Sequence, residues 1–74
     1  MKTLIRINPL DNVAVALQPL PKGTAVELDD LNLILKEDIM QGHKFALKDL
    51  KSGDFIIKYG TPIGHATADI AAGS

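Results

Sequence analysis

The pentapeptide Asp38-Ile39-Met40-Gln41-Gly42 returns as Asp49-Leu50-Lys51-Ser52-Gly53 and again as Asp69-Ile70-Ala71-Ala72-Gly73. A looser copy, Pro19-Leu20-Pro21-Lys22-Gly23, keeps the aliphatic residue and the glycine at the same spacing. This repeated turn constrains the fold more than any other feature of the chain. Its Ile or Leu anchors a corner in the core, and its glycine takes a positive φ that a Cβ would oppose. The Asp carboxylate is expected to accept from backbone N–H groups two or three residues further on. By glycine position the copies lie 19, 11 and 20 residues apart, too irregular for a solenoid. They predict the corners of a folded-back β structure.

Between the corners the sequence alternates, and helical periodicity is almost absent. A strand is expected over residues 3–8, with Ile5 and Ile7 pointing inward. Val13 to Leu17 (Val-Ala-Val-Ala-Leu) suits a strand covered on both sides. Asn8 to Asn12 is a cluster of turn formers. Residues 25–28 and 31–35 read as two short strands joined at Asp29-Asp30. Phe55 to Tyr59 is a strong strand signal, interrupted by Thr61-Pro62, with one more short strand over Ile63 to Thr67. Helix is limited to a turn near Leu47 to Leu50 or at the C-terminus. The fold class is therefore all-β.

Composition then bounds the function. At 74 residues the chain is one small, thin-cored domain. It has no cysteine, which removes disulfides, Cys-based zinc sites and Cys nucleophiles. Its net charge of −1 argues against non-specific nucleic-acid binding. No apolar run approaches the roughly 20 residues of a membrane span. Arg6 falls where a signal peptide would continue its apolar segment, so a cytoplasmic location is expected.

Two stretches hold groups able to do chemistry. Gly42-His43-Lys44 puts two potential cations beside a backbone corner. In a strand they would point to opposite faces, and the plain alternative is a hydrogen-bonded His43 beside a solvated Lys44. In Ile57 to His65, Lys58, Tyr59 and His65 surround a loop bracketed by Gly60 and Gly64. Several donors with close backbone approach suit a carboxylate or polyol ligand. Here the alternative is Tyr59 packed on the core and Lys58 snorkelling to water. His43 and His65, 22 positions apart, make a weak metal signal without a third ligand. The acidic residues sit mostly at turns and suit turn and capping roles. A phosphate loop and a nucleophile elbow are absent. A complete active site within this chain is not expected.

Five blocks occur in order: Asp11 to Ala16, Gly42 to Leu47, Ile57 to Gly60, Pro62 to Ala66 and Asp69 to Gly73. Together they resemble the N-terminal SAF domain of the altronate and galactarate dehydratase family, most closely its altronate-acting branch, from about Ile5 to Gly73. The resemblance implies a SAF-type β-clip, a bent and folded-back β ribbon, with residues 1–74 as a single N-terminal module of a larger enzyme. It implies dehydration of D-altronate to 2-dehydro-3-deoxy-D-gluconate, with His43, Lys44, Lys58, Tyr59 and His65 as substrate-binding candidates and no catalytic or metal-binding residue here. Iron(II) or manganese(II) is expected in the catalytic domain, and a large catalytic domain or subunit is the expected partner. The family pattern continues past the last turn into a strand carrying a Val-His-x-His-Asn type motif, so the last strand is expected to be missing. Two alternatives stand beside this reading. One is a small subunit of a related 2-hydroxy-acid lyase, such as a sulfolactate sulfo-lyase. The other is a homo-oligomerisation module burying Met40, Phe45 and the apolar turn residues against a second copy.

Overall fold

All four corners close in the same way. In the computed structural model, which describes residues 3–28 and 31–74, each glycine occupies the third position of a type II turn. The φ angles are +90° at Gly23, +83° at Gly42, +93° at Gly53 and +89° at Gly73. The residue after each glycine donates back three positions, for example His43 N–H to the Met40 carbonyl at 3.0 Å and Asp54 N–H to the Lys51 carbonyl at 2.9 Å. The glycine and its successor then face one residue of another strand. Gly42 N–H donates to the Ala16 carbonyl at 2.8 Å, and Ala16 N–H donates to the His43 carbonyl at 2.9 Å. Gly23-Thr24 treats Leu35 in this way, Gly53-Asp54 treats Ala66, and Gly73-Ser74 treats Ala46. Two residues opposing one is a glycine bulge, which bends the ribbon at each corner.

The corners also pair with one another. Leu20 and Ile39 exchange both backbone hydrogen bonds at 2.8 Å, and so do Leu50 and Ile70. Leu20, Ile39 and Leu50 are buried, and Ile70 is half-buried. The Asp carboxylates clasp the same pairs. Asp38 Oδ1 accepts from Lys22 N–H at 2.7 Å, Asp69 Oδ1 from Ser52 N–H at 2.9 Å, and Asp49 Oδ1 from Ala72 N–H at 2.9 Å. The expectation of local bonds two or three residues on is corrected here. Antiparallel pairing of the aliphatic residues sets each carboxylate over the partner corner instead of its own. Pro19 has no carboxylate, so the first pair carries one such clasp where the second carries two.

Among the described residues seven strands form: β1 Leu4–Ile5, β2 Val13–Ala16, β3 Ala25–Leu28, β4 Leu31–Ile34, β5 Lys44–Ala46, β6 Phe55–Lys58 and β7 Thr61–His65. They form three antiparallel sheets, β1-β2-β5, β3-β4 and β6-β7. The described residues are thus all-β, and the helical turn expected near Leu47 to Leu50 or at the C-terminus is not formed there. Residues 47–50 bend into a corner whose Leu50 pairs with Ile70. Strands β3 and β4 pair with Leu28 opposite Leu31, and the expected junction at Asp29-Asp30 lies outside the described residues.

The core gathers Ala14, Ala16, Leu20, Val26, Leu35, Ile39, Phe45 and Leu47, with Ala14 and Ala16 on one face of β2 and Leu20 and Ile39 from the corners. Small residues on β2 let this thin layer close. Phe45 is 1% exposed within it and is not available to bury against a second copy, which corrects the oligomer reading at that residue. Met40 is exposed. The first strand is also shorter than expected and turned over. Leu4 packs against the core, whereas Ile7 is half exposed, because Asn8 opens a turn directly after it. Pro62 does not interrupt the last hairpin. It sits within β7 opposite Ile57, beside a register shift, on an edge strand where a missing N–H costs no ladder bond.

Candidate functional site

Strands β6 and β7 are joined by the two residues Tyr59-Gly60, since Lys58 pairs directly with Thr61. Both central residues have positive φ, 58° for Tyr59 and 72° for Gly60, the geometry of a type I′ turn. Glycine suits this position, and its hydrogen faces the Asn8 side chain, where a Cβ would lie 2.7 Å from Nδ2. Tyrosine does not suit it: among the described residues Tyr59 is the one non-glycine in the left-handed region.

Asp11 and Asn12 hold this hairpin to the body of the module. Both are buried. Asp11 Oδ1 accepts from Gly60 N–H at 2.7 Å, and Oδ2 accepts from Asn8 N–H at 3.2 Å. Burial by itself would raise the Asp11 carboxyl. The N–H groups of Gly60, Tyr59, Asn8 and Ile7 outweigh it and hold the group below its ordinary value. Asn12 lends its side chain to β6 as a strand would lend its backbone. Its Nδ2 donates to the Phe55 carbonyl at 2.8 Å, and its Oδ1 accepts from Ile57 N–H at 2.8 Å. Asn12 N–H reaches the Ile57 carbonyl at 3.2 Å as well. The amide is satisfied in only this orientation.

The clasp brings Lys58 to the second corner. Gly42, His43, Lys44 and Lys58 line one open cavity of about 290 Å³. Two lysines, a histidine and a glycine backbone face it, with no carboxylate among the described residues of the lining. Such a wall attracts an anion of a few heavy atoms. Lys58 Nζ lies 5.0 Å from the centre of the Tyr59 ring, a cation–π contact that restrains the long side chain. Tyr59 is 56% exposed, so the alternative that packs it on the core does not hold.

Of the five candidate residues, His43, Lys44 and Lys58 meet at the cavity, and Tyr59 touches Lys58. His65 is not brought there. It pairs with Phe55 at the other end of the hairpin, about 10 Å along the ladder from Lys58. Among the described residues no three His, Cys, Asp or Glu side chains gather where they could hold a metal ion, so this donor set does not fit the iron or manganese of the resemblance. Asp11 and Asn12, which position the tip, were expected only to form a turn. The Tyr-Gly dipeptide between two strand-like runs is the signal that would have located the turn.

Comparison with known proteins agrees with this architecture. The family model described as the altronate/galactarate dehydratase SAF domain matches residues 2–74. Altronate dehydratase of Escherichia coli (strain K12) is 56% identical over 69 residues, covering 93% of this chain and 14% of the relative. Altronate dehydratase of Bacillus subtilis (strain 168) is 45% identical over 73 residues, covering 99% of this chain and 15% of the relative. The (2R)-sulfolactate sulfo-lyase subunit alpha of Paracoccus pantotrophus is 50% identical over 44 residues, 60% of this chain and 66% of that subunit. The chain therefore spans about one seventh of the length of the dehydratases it matches. With its repeated glycine corners and its match over nearly every residue, the chain belongs to the SAF-domain family of the altronate and galactarate dehydratases.

Proposed function

We propose that this SAF module serves a cytoplasmic sugar-acid dehydratase by holding the carboxylate end of the substrate beside an active site built by a larger catalytic part. The reaction takes D-altronate to 2-dehydro-3-deoxy-D-gluconate and water. The proton on C2 is removed, the C3 hydroxyl leaves with it as water, and the resulting enol becomes the 2-oxo acid. Removing a proton next to a carboxylate puts charge on that carboxylate, so cations against it lower the barrier. The observation that carries the reading is the cavity shared by Gly42, His43, Lys44 and Lys58. Lys44 and Lys58 hold the carboxylate, His43 and the Gly42 backbone bound the site, and Tyr59 positions Lys58. The divalent iron or manganese belongs to the catalytic part.

A further strand, as the family pattern implies, would find free backbone groups in this geometry. After each of the first three corners the chain runs on as a strand beside the residues preceding the one its glycine faces. The same rule lays residues following Ser74 along β5, because Ala46 N–H already donates to the Ser74 carbonyl. Lys44, two residues earlier, presents its backbone N–H and C=O to the same side. A strand there would cover the cavity of about 240 Å³ that Val13, Phe45 and Ile70 help to line.

The test supplies the module to the catalytic part of an altronate dehydratase and measures turnover of altronate. A rise in kcat/KM with measurable association is expected, and unchanged kinetics with no association would overturn the reading. The match to the sulfo-lyase subunit favours one alternative, a separate small subunit of a lyase acting on another 2-hydroxy acid. Stimulation of a sulfolactate lyase but not of altronate turnover would select it.

A further inference from the structure

The structure keeps an aromatic residue in an unfavourable backbone conformation and buries a carboxylate to hold it there. An asparagine or glycine at position 59 would take φ 58° with little strain, and Tyr59 takes it under the pull of Asp11 on the next N–H. The second turn braced by Asp11 is equally fixed. Asp11 N–H donates to the Asn8 carbonyl at 2.9 Å, and Leu10 N–H donates to Asn8 Oδ1 at 2.9 Å. The two turns touch where the Asn8 side chain covers Gly60. What this bracing displays is apolar: Leu10 is 70% exposed, Tyr59 56% and Ile7 50%. None of the three belongs to the core. Apolar side chains carried on a braced backbone leave only their own rotamers to be ordered on contact, which suits an interface anchor.

We infer that Leu10 and Tyr59, fixed by Asp11, form the knob by which the module seats on the catalytic part of the dehydratase. This rests on the proposed function, and it adds where the two parts meet. In each matched dehydratase most of the length lies outside the stretch shared with this module, so in those proteins a large neighbour stands beside it. Lys58 adjoins Tyr59 and lines the anion cavity, so a contact through Tyr59 turns that cavity toward the neighbour. A second copy of this chain fits less well. A two-fold contact through the tip would bring the Lys58 cations of both copies together.

The test measures association of the 74-residue chain with the catalytic part of an altronate dehydratase by calorimetry, alongside urea unfolding. Tyr59→Asn relieves the strained turn, so it should raise the unfolding midpoint while weakening association at least tenfold. Leu10→Ser should leave the midpoint unchanged and weaken association several-fold. Ile34→Ser, an exposed site on β4, should change neither. If the wild-type chain associates and both tip variants match it within twofold, the knob is refuted and the proposed function stands. If the wild-type chain neither associates nor alters turnover, the functional reading fails and the knob with it. A dimer of the wild-type chain that Tyr59→Asn dissolves would make a second copy the occupant and overturn the assignment. Should Tyr59→Asn fail to fold, Leu10→Ser decides between these outcomes.

Discussion

Alanine at the four corner glycines should divide into three tolerated substitutions and one severe one. All four positions have φ between +83° and +93°, so each alanine carries a left-handed penalty of about 1–2 kcal/mol. Restricting the unfolded chain returns about 0.4–1 kcal/mol. At Gly23, Gly42 and Gly53 an added Cβ meets nothing within 4 Å, and the net loss should be about 1 kcal/mol. At Gly73 the Cβ would lie 2.5 Å from the Ile34 carbonyl oxygen and 3.2 Å from the Leu35 Cα. Both are backbone atoms and cannot rotate away. Forcing them apart adds roughly 1–3 kcal/mol. It also strains the bonds from Gly73 N–H to the Ala46 carbonyl and from Lys36 N–H to the Gly73 carbonyl. The total for Gly73→Ala is about 2–4 kcal/mol, a large fraction of the roughly 4–11 kcal/mol expected of a domain this size. Urea unfolding reads this directly. With a slope of about 1 kcal/mol/M the three tolerated variants move the midpoint by about 1 M, and Gly73→Ala moves it by about 2–4 M. A Gly73→Ala loss within about 0.5 kcal/mol of the other three would refute the close backbone approach at the fourth corner.

The Asp11 clasp predicts a pH dependence. Its donors hold the folded carboxyl below the free value of 3.8. In the window between the two values the unfolded chain binds a proton that the folded chain does not. The stabilisation is therefore complete above that window and is lost as pH falls through the folded value. Urea midpoints measured from pH 6 down to about pH 2 should show this decline, and Asp11→Asn should flatten it. The Asp clasps across the corner pairs predict that Asp69→Ala and Asp49→Ala each cost about 1 kcal/mol by the loss of one charge-assisted bond to a turn N–H. Protection of the Ser52 and Ala72 amides against hydrogen exchange should fall accordingly, in that order. Pro19→Asp should create the fourth clasp and slow exchange at the Gln41 amide.

The corners were legible because their chemistry is local. A glycine fixed by φ and an aliphatic anchor, repeated four times, announce themselves without knowledge of what packs against them. The partners of those corners were not legible. Asp38 bonds Lys22 and Asp49 bonds Ala72 because pairing of Leu20 with Ile39 and of Leu50 with Ile70 sets them opposite, and no local pattern encodes that pairing. The strand expected at residues 3–8 failed at Ile7 because a turn at Asn8 outweighs two residues of alternation. In the site, the cations could be named from the sequence, and their convergence could not. His43 and Lys44 meet Lys58 through the Asp11 and Asn12 bonds to a hairpin more than 40 positions away. By the same logic His65, close to Lys58 in sequence, ends at the far end of the ladder.

The central claim is that the wall of Lys44 and Lys58 holds a substrate carboxylate. Its most direct test is the steady-state kinetics of the assembled dehydratase with Lys58→Ala in this module, beside Lys48→Ala as an exposed lysine outside the cavity. Loss of one cation on a carboxylate, about 1.4 kcal/mol or more, predicts at least a tenfold fall in kcat/KM for altronate in Lys58→Ala with the unfolding midpoint unchanged. Lys48→Ala should match the wild type. Wild-type kinetics in Lys58→Ala, or an effect confined to its stability, would contradict the claim.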